Sequence, residues 1–447
     1  MSQHDKDATL KIAIVGAGPA GFYAAEALAA ACPGCELDLI ERLPTPYGLI
    51  RSGVAPDHQT TKTIQDTFEK TAQLSNLRFV GNVEIGRDVS LAQLRDAYDA
   101  VVLACGAPLD APLGVPGDDL LGVYGATEFV GWYNGHPDHA ELEPRLDGKG
   151  AVVIGNGNVA IDIARILSKS VSELANSDIA DHAMQRIAAS TISDVHIVGR
   201  RGPIEAKFTN VELRELGELQ DAVAMAEPGQ IPDVVDDTLS ARDRRVKVKN
   251  LECFKDFAKA DPVSLSRRIR FQFNARPVEI IGGRSVEAVR FERTRVEEGR
   301  VIGTGQVFDI PCSLVVYAIG YRPSPDLGLT VGESGNCLLN DAGKIGHGLY
   351  VVGWLKRGPS GKIGTNRVDG EEIAKIIQTE VSAGGKLGFS ALEVGLGAKG
   401  LRWIDFGDWK AIDAAEIAAA PIAAPRRKFV RVDEMLKLCV KTSVLTA

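Results

Sequence analysis

The chain has 447 residues, enough for two or three domains, and 45% of them are hydrophobic, which fits large buried cores. Acidic residues outnumber basic ones by 59 to 51, a net charge of −8 that excludes a general nucleic-acid binder and leaves any basic partner surface local. Met1 to Leu10 is polar, and no run reaches the ~18 apolar residues of a membrane helix, so the expected location is the cytoplasm.

The first predicted element is an apolar strand, Lys11 to Val15, running into Gly16-Ala17-Gly18-Pro19-Ala20-Gly21 and a helix from Phe22 to Ala31. This is the order of a dinucleotide-binding turn. Gly16 permits the turn, Gly18 lets a pyrophosphate approach the backbone, and Gly21 lets helix and strand pack closely, with the helix N-terminus toward the phosphates. Cys32-Pro-Gly-Cys35 has the spacing of a redox dithiol but lies in the link to the next strand, on the adenosine side, which favours a structural role. That strand, Glu36 to Ile40, ends in Glu41. A carboxylate there accepts hydrogen bonds from a ribose 2′-hydroxyl and repels a 2′-phosphate, so the first site reads as FAD. A loop Val54 to Asp57 leads to His58, and the strand Ala100 to Ala104 closes the first unit.

A Pro/Gly/Ala-rich connection, Pro108 to Pro116, precedes a second fingerprint: the strand Ala151 to Ile154, then Gly155-Asn156-Gly157-Asn158-Val159-Ala160. About Leu167 to Ser190 reads as extra helix that lengthens the gap to the next strand. The next strand, Val195 to Val198, ends in Gly199-Arg200-Arg201, and a guanidinium pair meets a 2′-phosphate bidentately, so the second site reads as NADP. One glycine turn is weak evidence; two followed by opposite charges are strong. Arg242, Arg244, Arg245, Lys247 and Lys249, with Arg267, Arg268 and Arg270 beyond, form either a solvated face or a local field that steers an acidic partner. Leu314 to Ile319 is the return strand and Gly348 to Val352 another buried one. After the loop Gly353 to Asn366 a helix is predicted with Ile373, Ile376, Ile377 and Val381 on one face, its N-terminus stabilising negative charge on a flavin beside Gly361, Lys362 and Ile363. The tail after Asp413, Ala/Pro-rich and then basic at Arg426-Arg427-Lys428, reads as a surface connection before a last short helix at Met435, Leu436 and Leu438.

The expected fold is α/β with two Rossmann-like dinucleotide-binding domains: a discontinuous FAD domain, 1–107 and 320–447, with an NADP domain, 108–319, inserted. Seven scattered cysteines match neither a disulfide framework nor a metal or iron–sulfur site, so no metal is expected and electrons enter and leave through flavin.

Beyond these readings, the chain resembles the adrenodoxin-reductase-like ferredoxin-NADP reductases over almost its whole length. The motifs that carry the resemblance are Val15 to Tyr23, Pro46 to His58, Gly81 to Asp88, Phe129 to Gly135, Gly155 to Ala160, Val198 to Pro203 and Gly353 to Pro359. It implies a glutathione-reductase-like arrangement and ferredoxin-NADP(+) reductase activity, with a hydride passing from NADPH to FAD and single electrons to a ferredoxin, or the reverse. It implies FAD contacts at Ala20, Glu41, Leu49, Val83, Trp354 and Gly361 to Ile363, and NADP contacts at Asn156 to Val159, Arg200, Arg201, Glu212 and Gly361. It also implies an acidic 2Fe-2S ferredoxin docked on the basic run, and His58 and Asp162 as groups near the flavin that move a proton. The chain departs from the family pattern at Glu205 and Lys207, whose charges soften the expected preference for NADP over NAD. Two alternatives stand beside this reading. A flavin-thiol reductase needs a CxxC in the NADPH domain, which has only Cys253 and Cys312; a non-catalytic flavin-binding sensor or subunit uses the fold without turnover.

Overall fold

Unbroken apolar strands demand cover on both faces, and in the computed structural model, which describes residues 9–235, 239–261, 263 and 265–439, they have it. Ile12 and Ile14 enter one core layer while Ala13 and Val15 enter another; Val153 and Val152 divide in the same way. The chain forms two compact units. One comprises the segment up to Val54, His58–Leu109 and everything from Gly320 on; the other holds Ala55–Asp57 and Asp110–Ile319. Among the described residues no helix is long and apolar enough to cross a membrane.

The first unit is built on a six-stranded sheet ordered Lys344–Gly346, Leu349–Val351, Ala100–Leu103, Lys11–Val15, Glu36–Ile40, Leu77–Val80. All neighbours are parallel except the first pair. Strands from both ends of the sequence share this sheet, because Leu349–Val351 pairs with Ala100–Leu103. The chain moves outward from Lys11–Val15 in one direction and later returns on its other side. That leaves a switch point at the C-terminal end of Lys11–Val15, where the glycine turn lies. Its helix starts at Pro19, three residues before the sequence-predicted Phe22, since proline is pre-organised for a first turn.

The second unit repeats the plan with an all-parallel sheet ordered Val123–Gly125, Leu314–Tyr317, Gly150–Ile154, Asp194–Val198, Arg267–Gln272, Ala222–Ala226. Here the switch point falls between Gly150–Ile154 and Leu314–Tyr317. Helices cover one face. An antiparallel meander covers the other, through Ala275–Gly282, Val286–Glu297 and Arg300–Pro311, and contributes Ile280, Val289, Phe291 and Ile310 to the core. Sequence reading assigned no element to that meander. The insertion read as extra helix holds two short ones, Val171–Leu174 and Asp181–Ala188, and only Leu174, Ala183 and Ile187 of them are buried.

The tail corrects a further expectation. It is no mere surface connection: the helix Phe406–Ala418 buries Trp409, Ile412 and Glu416, and Lys428 is buried as well. The last short helix is Val432–Lys437, with Met435 buried.

One polar residue sits awkwardly in the second sheet. His196 pairs in register with Val152 and Arg270, and burial, helped by the Arg270 charge and opposed by Asp194, pushes its imidazole down to about 4. The unfolded chain protonates this residue below about pH 6.5, whereas the folded one resists until near pH 4, so its neutral form supports folding fully above pH 6.5 and that support drains away as pH falls. Between pH 7 and pH 5 the wild type should therefore lose about 2 kcal/mol more than His196→Asn in urea titrations. Equal losses would contradict the assignment.

Candidate functional site

In the first unit the turn after Lys11–Val15 is closed by backbone. Gly16 has φ +106°, its N–H donates to the Ile40 carbonyl at 2.7 Å, and a Cβ there would meet the Ala104 carbonyl oxygen at 2.7 Å. A Cβ at Gly21 would come within 1.9 Å of the Gly16 oxygen, so only glycine lets helix and turn pack this closely. Gly18 caps the 13-residue helix Pro19–Ala31 without any side-chain hydrogen bond, which leaves first-turn amides for an anion. Glu41 braces the same turn: its carboxylate accepts from the Ala17 N–H at 2.9 Å and the Leu43 N–H at 3.2 Å. Burial pushes its carboxyl up, while these backbone donors oppose the shift.

Two further turns complete the cradle. Tyr47 donates its N–H to Ala17 at 2.7 Å and carries Gly48 against Gly18, leaving Leu49 exposed beside them. Val83 donates its N–H to Glu41 at 3.0 Å; its side chain is buried in the core, so a ligand contact there falls to the backbone. The C-terminal part contributes Gly353, which packs on Ala20, and Trp354, which stacks on Tyr321 at 5.4 Å. Arg357 shapes the loop that follows by donating to the Ser360 carbonyl at 3.2 Å and the Asn366 amide oxygen at 3.1 Å, and it pairs with buried Asp369. Gly361 and Lys362 are exposed, Ile363 is half-buried, and the helix Thr365–Glu380 opens behind them with no capping side chain on Gly364. The predicted buried face is present at Ile373 and Ile377. An uncapped helix start, a carboxylate at the end of the second strand and a second uncapped helix fit FAD.

In the second unit Gly157 likewise begins its helix, Asn158–Ser168, without a capping side chain. The loop Arg200–Thr209 lies against this turn: Asn156 accepts from the Lys207 N–H and Asn158 from the Thr209 N–H, both at 2.8 Å. Val159 is partly buried on the core. Arg200 is exposed, its backbone carbonyl held by the Thr294 hydroxyl at 2.9 Å; Arg201 gives one nitrogen to the Gly299 carbonyl at 3.0 Å. Both Asn156 amide atoms, Arg201 Nε, the Thr209 hydroxyl and Glu212 Oε2 are buried without a hydrogen-bond partner. Unmet polar atoms this concentrated mark a place built for a polar ligand, and the donor set fits NADP.

The candidate proton-moving residues divide. Asp162 lies 2.9 Å from Arg165, a side chain only 1% exposed that also meets Asp57 at 2.9 Å and Glu215 at 3.2 Å. His58 is half-buried at the start of the short helix Gln59–Lys62. Sequence reading missed Arg165, whose only signal was an arginine on an otherwise apolar helix face. Burial would raise the Asp57 carboxyl, but Arg165 and Lys169 hold it well below the usual range. Of the strand cations, Arg268 and Arg270 share Asp194 at 2.7 and 2.9 Å, and Arg267 holds the Lys169 carbonyl at 2.7 Å. The exposed basic set is therefore Arg242, Arg244, Arg245 and Lys249, on the first half of the helix Ala241–Phe257, because Lys247 turns in to the Ala206 carbonyl. Cys32 and Cys35 are both buried, and burial together with Cys32 pushes the Cys35 thiol up to about 11.

The family model for pyridine nucleotide-disulphide oxidoreductases matches residues 10–215. The NADPH-ferredoxin reductase FprA of Mycobacterium leprae is 40% identical over 446 residues, covering 96% of this chain and 98% of that protein. The mitochondrial NADPH:adrenodoxin oxidoreductase of Homo sapiens is 37% identical over 455 residues, covering 97% and 92%. The structure of Mycobacterium tuberculosis FprA in complex with NADPH matches with a TM-score of 0.91 at 40% identity, covering 97% of this chain and 100% of that one.

Arg200 gives the cleanest test of the second site, since Arg201 also serves the fold. Losing one charge-assisted contact of about 1.5–3 kcal/mol, Arg200→Ala should lower kcat/KM for NADPH roughly ten- to a hundredfold, mainly through KM, and leave NADH unchanged. Parallel losses with both nucleotides would remove the 2′-phosphate from this position.

Proposed function

Because the chain belongs to the pyridine nucleotide-disulphide oxidoreductases, and within them to the NADPH-ferredoxin and NADPH:adrenodoxin reductases, we propose that it is an NADPH-ferredoxin reductase working in the cytoplasm. The observation that carries the reading is the contrast of charge at two equivalent turns: Glu41 against the first uncapped helix, Arg200 and Arg201 against the second. Bound FAD supplies the conversion of a hydride from NADPH into single electrons for an iron–sulfur protein.

The chain's own residues position and stabilise. Gly16, Gly18, Ala20 and Gly21 admit the pyrophosphate to the helix N-terminus, and Glu41 takes the adenosine ribose. Leu49, the Val83 backbone, Trp354 and the loop Gly361, Lys362, Ile363 line the rest of the FAD site, where the start of Thr365–Glu380 meets negative charge. Asn156, Gly157, Asn158 and Val159 would hold the NADP pyrophosphate, Arg200 and Arg201 its 2′-phosphate and Glu212 a hydroxyl. The candidates for moving a proton are His58 and Asp162, the latter ion-paired with Arg165. Buried thiols held protonated argue against the flavin-thiol alternative.

The partner is an iron–sulfur protein, which we take to be an acidic 2Fe-2S ferredoxin steered by Arg242, Arg244, Arg245 and Lys249. Measuring NADPH-dependent cytochrome c reduction with and without added ferredoxin tests both statements. Activity should depend on the ferredoxin, and reversing the charge at Arg242 and Arg245 should weaken it and flatten its salt dependence while leaving NADPH–ferricyanide turnover intact. Equal losses with both acceptors would make the helix structural; no dependence on any ferredoxin would sink the reading.

A further inference from the structure

Of the non-glycine residues that the first unit holds in the left-handed region, two lie beside the first glycine fingerprint, Tyr47 with φ 81° and Asn82 with φ 63°. Such residues cost on the order of 1–3 kcal/mol each and persist only where surrounding structure over-determines them. Both belong to turns that touch the first glycine fingerprint and its acid. Tyr47 donates to Ala17; Asn82 donates to Leu43 at 3.1 Å, and the next residue, Val83, donates to Glu41.

Both turns are backed by the same distant stretch of sequence. Ile404 exchanges backbone hydrogen bonds with Gly81 at 2.9 and 3.1 Å, and the Asn82 side chain donates to the Arg402 carbonyl at 2.7 Å. Trp409 sets its ring edge against Tyr47 at 5.9 Å and lies under the Arg51 guanidinium at 5.4 Å. Glu416, with 0% exposure, accepts from both terminal nitrogens of Arg51, at 2.9 and 2.5 Å. Lys428 donates to the Arg51 carbonyl at 3.1 Å, at the end of the four-residue helix Leu49–Ser52. Behind Glu416, Arg426 donates to it at 3.2 Å and to Asp413 at 2.6 Å, and the Phe429 N–H donates at 2.9 Å. Two members of the basic run that sequence reading left on the surface, half-buried Arg426 and buried Lys428, thus belong to this cluster, while Arg427 is exposed.

A buried ion pair contributes little net stability, because desolvating the charges consumes most of the attraction; its better-attested use is to fix one geometry among several. The geometry fixed here is that of the Tyr47–Ser52 turn. We propose that Glu416 is a positioning residue for FAD: through its two-pronged hold on Arg51 it keeps the Tyr47–Gly48 turn against Ala17 and Gly18, so that cofactor retention depends on the C-terminal segment Arg402–Lys428. This rests on the reading of the first site as an FAD site.

The test follows FAD release from the holoenzyme, by the recovery of free-flavin fluorescence well below the unfolding temperature, alongside thermal melting and the affinity for 2′,5′-ADP. A wild type that carries no flavin would refute the FAD reading itself. With flavin bound, Glu416→Gln should release it roughly tenfold faster or more, as loss of an outer partner does for other bound groups, with 2′,5′-ADP affinity unchanged. Leu392→Ala, a cavity in the other core layer of the same unit, supplies a variant destabilised without touching the turn. It should release flavin more slowly than Glu416→Gln at matched melting temperature. Equal release from the two, or unchanged release from Glu416→Gln, overturns the proposal. Should Glu416→Gln fail to fold, Lys428→Met, which removes the bond to the Arg51 carbonyl, is judged by the same comparison.

Discussion

In each unit the helix that follows the glycine fingerprint starts without a capping side chain, at the point where the strand order of its sheet reverses. A helix start normally finds a partner for its orphan amides, and a buried one without any is costly. Here glycine occupies the cap, Gly18 in one unit and Gly157 in the other, so the amides stay available to a phosphate. The remainder of each site selects which nucleotide that phosphate belongs to. Glu41 and the Arg200–Arg201 pair stand at the same step of the fold, after the second strand, and differ in charge. The scaffold is duplicated, and in the proposed assignment the specificity rests on two or three side chains.

Support for these side chains comes from far away in sequence. The loop that carries the arginine pair is tied by Thr294 of the antiparallel meander, by Asn158 of the fingerprint helix, and by Lys247 and Asn250 of the helix Ala241–Phe257 through the Ala206 and Phe208 carbonyls. The turns around the other fingerprint are held by the C-terminal segment through Glu416 and Ile404. In both units the residues proposed to meet the ligand lie on short loops, and their geometry is imposed by charged and backbone contacts behind them. Such an arrangement keeps binding groups fixed before the ligand arrives, which lowers the ordering cost of binding.

Much of this was legible in the sequence for a definite reason. Parallel strands covered on both faces read as apolar runs, and a glycine turn between such a strand and a helix has a fixed spacing, so the strands at Lys11, Glu36, Ala100, Gly150 and Asp194 and both fingerprints could be read directly. The fate of cations could not. Arg268 and Arg270 look like free docking charges until both are seen to pair with Asp194 on the neighbouring strand. Arg426 and Lys428 look like surface residues until Glu416 and the Arg51 carbonyl are seen beside them. Arg165 likewise has partners far apart in sequence. Charge carries no periodic signature of burial, and a pair separated by hundreds of residues leaves no local trace. The meander was missed because its strands bulge, which interrupts the period of two at Pro277 and Glu292.

The central claim is that electrons taken from NADPH leave through flavin to an iron–sulfur protein and not through a thiol. An anaerobic single-turnover experiment tests it most directly: mix the yellow holoenzyme with one equivalent of NADPH, follow the flavin absorbance, then add an oxidised [2Fe-2S] ferredoxin or, separately, a disulfide substrate. The account predicts that NADPH bleaches the flavin and that the ferredoxin restores its colour as its own cluster is reduced, whereas the disulfide leaves the flavin bleached. A flavin that NADPH fails to bleach, or one reoxidised by the disulfide and not by the ferredoxin, would contradict it.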